Sequence, residues 1–177
     1  MIIPFISVLA GISLMYYIRQ RKAEKEMDEI VSSLPSVNKE HSSLGARDLC
    51  LELLHQLNCE VEQEGDDIYF TYQNEHFMIE ASNECHFIVV WDLCWYMKSL
   101  ENQEEVEQVK EVVNRVNSIN CNIVLYYEDR EANTMNVVSK SYHLLTPDIP
   151  NPKAYLSVIF SNFFETKQCF RKELDCD

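Results

Sequence analysis

"CEVEQEGDDIYFTYQNEHFMIEASNECHFIVVWDL", residues 59–93, is the stretch whose reading decides the fold. Apolar side chains alternate through it, first as Ile68, Phe70 and Tyr72, then as Phe77, Ile79 and Ala81. A period of two suits half-buried strands, because successive side chains leave opposite sides of an extended backbone. Gly65-Asp66 and Gln73-Asn74-Glu75 interrupt the runs with residues that accept turn geometry, so antiparallel strands joined by tight turns are expected. His86 to Asp92 is more continuously apolar and predicts a strand covered on both sides.

On either side of this stretch the period changes. Leu44, Leu49, Cys50, Leu53, Leu54 and Leu57 keep one helical face, with Ser42 or Ser43 placed to cap it. Downstream, Val106, Val109, Val113 and Val116 form a second helical stripe with Val112 and Ile119 beside it. "CNIVLYYED" and "MNVVSKSYHLL" read as two further strands linked by "REANT". Asn151-Pro152 reads as an N-cap and first helical position, opening a third helix with Tyr155, Leu156, Ile159, Phe160, Phe163 and Phe164 on a broad apolar surface. The order is helix, three or four strands, helix, two strands, helix. It predicts an α+β fold, an antiparallel sheet packed with helices, preceded by an N-terminal transmembrane helix.

That transmembrane expectation rests on residues 1–18, MIIPFISVLAGISLMYYI, which carry no charge and as a helix would reach about 27 Å. Tyr16 and Tyr17 fall at headgroup level, and Arg19, Arg21, Lys22 and Lys25 follow at once. Basic residues after the span and none before it place the N-terminus outside and the large C-terminal part in the cytoplasm of a single-pass cell-membrane protein. A cleaved signal would need positive charge ahead of the apolar run and a small-x-small site behind it, and neither is present. The expected organisation is an anchor over 1–18, a charged juxtamembrane segment and linker over 19–43, one domain over 44–172 and a tail over 173–177.

From Leu44 to Asp177 the chain holds 10 Lys and Arg against 24 Asp and Glu, which accounts for the whole net charge of −14. Nucleic acid is a poor partner for such a surface, because binding it depends on cations displacing condensed counterions. A basic protein partner would instead be attracted. Seven cysteines, an odd number without C-x-x-C, argue against a disulfide framework and for a reducing compartment.

Two segments, "LLHQLNCEVEQEGDDIYFTYQNEHFMIEA" and "EVVNRVNSINCNIVLYYED", with their order of elements, resemble the YbjN-like and type III secretion chaperone-like domains over about Leu44 to Arg171. The resemblance implies a small acidic domain that binds polypeptide segments, often as a dimer, without catalysis. The YbjN branch implies a regulatory or stress-related role. A membrane anchor departs from the soluble secretion chaperones, which counts against effector export.

No catalytic signature stands beside this. The three glycines, Gly11, Gly45 and Gly65, form no phosphate loop, the five histidines are scattered, and no cofactor or metal is implied. The aromatics Trp91, Trp95 and Tyr96, and Phe160, Phe163 and Phe164 on the last helix, are the candidates for contact with a protein or peptide partner or a homodimer mate, with core packing as the alternative for each. The expected function is a membrane-anchored, non-enzymatic cytoplasmic binding module. The competing reading is a thiol- or metal-dependent enzyme assembled from Cys85, Cys94 or His86.

Overall fold

The computed structural model describes residues 44–175. Residues 1–18, the charged segment that follows, and Ser42 and Ser43 as caps lie outside these. Among the described residues no helix is long and apolar enough to cross a membrane.

The order of elements is α1 (Ala46–Gln56), β1 (Val61–Glu64), β2 (Asp67–Tyr72), β3 (Glu75–Ala81), β4 (Phe87–Ser99), α2 (Gln103–Ile119), β5 (Ile123–Asp129), β6 (Thr134–Leu144) and α3 (Pro152–Asp175). Six strands form one sheet in the order β1-β2-β3-β4-β6-β5, each antiparallel to its neighbours. The α+β class and the helix and strand succession follow the sequence expectation. The last helix runs past residue 172, because Glu173 still has work there as the 3.1 Å partner of Arg115 on α2.

Local chemistry explains the joints. Gln73 and Asn74 both take positive φ, 51° and 66°, which gives the two-residue β2–β3 turn the twist its flanking strands need. Asn102 caps α2 by accepting the Glu104 N–H at 3.1 Å, and Glu104 and Glu105 favour the positive end of that helix. Asn151 Oδ1 accepts the Ala154 N–H at 3.2 Å, so Asn151-Pro152 does open α3. At α1 the cap comes from afar. Asn83 Oδ1 accepts the Asp48 N–H at 3.1 Å, and only glycine at 45 permits this, since a Cβ there would lie 2.5 Å from the Asn83 Cα.

All three described helices pack on one side of the sheet. Leu49, Cys50, Leu53 and Leu54 of α1 meet Ile68, Phe70, Phe77, Ile79, Ile88 and Val90 from the strands and Leu156, Ile159, Phe160 and Phe163 from α3. A second cluster joins the α2 valines to Val124, Met135, Val137 and Phe170. Helix α3 serves both clusters, Phe160 and Phe163 in the first and Phe170 in the second. Ile119, placed beside the α2 stripe by its sequence, is exposed at the helix end.

Strand β4 departs most from expectation. It does not end at Asp92 but continues to Ser99 through a bulge, with Asp92 paired to Ser139 and Tyr96 to Val137. Three residues thus face one, and Cys94 takes φ 44°. Nor is the strand covered on both sides. Ile88, Val90 and Asp92 are buried under helices, whereas Phe87, Val89 and Trp91 on the other side are only half-buried.

Candidate functional site

The side of the sheet away from the helices is apolar and open. Alternation puts Met78 of β3, Val89, Trp91 and Leu93 of β4, Val138 and Tyr142 of β6, and Ile123, Leu125 and Tyr127 of β5 on it. Tyr142 is 53% exposed, Tyr127 46%, Ile123 40% and Leu125 36%, values that a covered face would not allow. A shallow trough of about 380 Å³ runs between Met78, Trp91, Leu93, Leu125, Tyr127 and Val138.

Polar groups fix the aromatics at its rim. Trp91 Nε1 donates to Glu80 Oε1 at 2.6 Å, and Lys140 Nζ lies 4.7 Å from the Trp91 ring centre and 5.3 Å from that of Tyr142. The Cys94 Sγ is 3.1 Å from the Tyr127 hydroxyl. That bond, with burial, pushes the Tyr127 phenol up to about 12, so Tyr127 remains neutral and is no base at neutral pH.

Both edges of the sheet are guarded while this face is not. Edge strand β1 has four residues within an acidic run, Glu60, Glu62, Glu64, Asp66 and Asp67, that discourages strand addition. At the other edge, Asn117 of α2 accepts the Val124 N–H at 2.7 Å and donates to the Val124 carbonyl at 2.9 Å. A side-chain amide thus fills the place another strand would take on β5.

The structure sorts the aromatic candidates. Trp91 lies on the open face, as a partner contact requires. Phe160 and Phe163 are fully buried, so their role is core packing and they are not available to a partner. Phe160 stands 5.2 Å from Phe70 and 5.4 Å from Phe77, ring centre to ring centre. Phe164 is half-buried beside Tyr72 at 6.4 Å. The β4 bulge turns both Trp95 and Tyr96 toward α3, where they lie 5.0 and 5.1 Å from the Phe170 ring. The open-face residues that sequence reasoning missed, Met78, Leu125, Tyr127 and Tyr142, had one signal. Strands β3 to β6 carry apolar residues on both parities, more than the three described helices cover.

Among the described residues no three His, Cys, Asp or Glu side chains converge as metal ligands would. Cys85 and His86 sit in the exposed turn before β4, where Cys85 Sγ accepts the Phe87 N–H at 3.3 Å. Cys50 is buried, and burial pushes its thiol up to about 12. Cys121, read as opening a strand, is exposed two residues before β5.

Beneath the face, on the helix side, charge is buried between the two core clusters. Lys167 Nζ of α3 lies 3.0 Å from Asp92 Oδ2 and 2.8 Å from Glu75 Oε2. Desolvation pushes the Asp92 carboxyl up to about 7 against the pull of Lys167, with Glu75 adding to the rise. Asp92 Oδ1, Ser139 Oγ and Trp95 Nε1 are buried without a hydrogen-bond partner among the described residues.

Comparison with known proteins adds little. No family model matches the chain, and no curated protein does. A solved structure, an uncharacterized protein from Methanothermobacter thermautotrophicus, is similar over 73% of this chain and 96% of its own length, at 14% identity and a TM-score of 0.47.

Proposed function

We propose that this chain is a membrane-tethered binding module that takes a polypeptide partner on the open face of its sheet and performs no catalysis of its own. The observation that carries this reading is the apolar trough and its exposed surround, left bare on one side of a sheet whose two edges are both guarded. Guarded edges favour contact through side chains on the face over strand addition. The tether is residues 1–18 with the basic flank Arg19, Arg21, Lys22 and Lys25, which holds the domain on the cytoplasmic side. The YbjN-like and secretion chaperone-like resemblance of the domain agrees with a binding role.

A photo-crosslinking residue at Leu125 or Tyr142 tests the face. In native membranes it should capture a discrete polypeptide that the same residue at Val158, exposed on α3, does not. Capture from Val158 and none from the sheet positions would overturn the reading. Protease added outside intact cells should leave the domain whole, and digestion would reject the assigned side of the membrane.

The thiol reading keeps one observation in its favour, since Cys94 stands at the trough on a strained backbone. Its side-chain partner is a neutral phenol rather than a base, so thiolate activation lacks a proton acceptor there. A labelling rate at Cys94 far above that of Cys85 would revive it.

A further inference from the structure

The open face is not electrically uniform. Strand register lines up a row of carboxylates across one side of it, with Glu64 of β1 opposite Asp67 of β2 and Asp67 opposite Glu80 of β3. Glu62 stands one row along, opposite Tyr69. Like charges opposed on neighbouring strands destabilise a sheet. None of these four carboxylates has an ion-pair partner among the described residues. Arg47, near the β1–β2 turn, donates instead to the Gly65 and Asp66 carbonyls and to Gln63. Desolvation and the Asp67 and Glu64 charges raise the Tyr69 phenol, which marks this corner as a concentration of negative field. Glu80 joins the row to the trough through its bond to Trp91.

We propose that the occupant of the open face is a basic amphipathic polypeptide segment, with cations over the Glu64–Asp67–Glu80 row and apolar side chains in the trough at Trp91, Leu125 and Tyr127. This rests on the reading that the face binds polypeptide, and it names the chemistry of the partner. From β1 to β5 is five strand spacings, about 24 Å, which about eight extended residues or an amphipathic helix of about four turns covers. A second copy of this chain fits poorly. It brings another strongly acidic surface against the row, and the face's own cation, Lys140, is already stacked on Trp91 and Tyr142. A cationic partner relieves the cross-strand repulsion and is drawn in by the field of the domain.

The test uses the full chain and two labelled synthetic peptides with the same Leu and Phe pattern, one carrying Lys at every polar position and the other Glu. Anisotropy should show the Lys peptide binding at least about tenfold tighter, with affinity falling as salt rises. Asp67→Asn with Glu80→Gln should weaken it about three- to tenfold, whereas Glu104→Gln with Glu111→Gln on α2 should leave it unchanged. Leu125→Asp should abolish it. Glu80, Glu104 and Glu111 are exposed and Asp67 is half-buried, and Glu80→Gln keeps an acceptor for Trp91, so folding is not at stake. Equal binding of the Glu peptide, or equal loss from the row and α2 pairs, would overturn the charge assignment while leaving face binding standing if Leu125→Asp still abolishes it. If neither peptide binds, both proposals fail.

Discussion

The two faces of this sheet are built from the same kinds of residue and do opposite things. On the helix side, Phe77, Ile79, Ile88 and Val90 disappear beneath α1 and α3. On the other side, displaced by one residue along the same strands, Met78, Val89 and Trp91 stay partly exposed and Leu125, Tyr127 and Tyr142 more so. Apolar character alone therefore does not locate a core. What separates the faces among the described residues is the supply of covering elements, and the three described helices cover one side only. The side left bare is where an apolar surface costs solubility without adding to the fold, which is the usual condition of a surface kept for a partner.

The sharpest way to break this comparison is to truncate one residue from each side. Phe163→Ala empties the covered side and should cost about 3–5 kcal/mol in urea unfolding. Leu125→Asp on the open side should cost less than about 1 kcal/mol by the same measurement. Comparable losses would mean that the open face is core after all.

The buried charges under β4 give the next largest effect. The Asp92 pKa rises from an ordinary value near 4 to about 7 on folding, so the folded state takes up a proton. The stability linked to it is full below pH 4, declines as pH rises toward 7, and is gone above that, a change on the order of a few kcal/mol. Asp92→Asn should flatten this part of the stability profile between pH 4 and 8. An unaltered profile would show that Asp92 stays ionised beside Lys167 throughout.

Smaller effects test the edge and the rim. Asn117→Ala removes both bonds to Val124 and should cost about 1–2 kcal/mol. It should also add concentration-dependent association visible in light scattering, because the β5 edge is then open. Tyr142→Ala should shift stability by no more than about 0.5 kcal/mol while weakening the crosslink at Leu125. A larger loss of stability would place Tyr142 in an intramolecular contact.

How much of this was legible beforehand depended on whether the signal was local. The alternation of Ile68, Phe70 and Tyr72, the tight turns, the α2 valine stripe and the Asn151-Pro152 helix start depend on near neighbours in the chain, and the fold followed them. The Asn83 cap on α1 and the Asn117 clasp on β5 join distant residues and left no pattern to read. Of the candidate site, Trp91 was visible as an aromatic near a strand end. Its separation from Trp95 and Tyr96 was not, because a bulge at Cys94 decides which way each ring turns. Phe160 and Phe163 were as plausible on a surface as in a core until α3 was laid across both clusters.

The sequence by itself determined the succession of helices and strands, the acidity of the domain and the apolar, uncharged character of residues 1–18, since periodicity and charge are properties of a linear string. Which side of the sheet the described helices cover, and hence which apolar residues stay exposed, only the tertiary structure decided. Burial is a relation between elements far apart in the chain, and strands apolar on both parities satisfy either choice until the helices have packed.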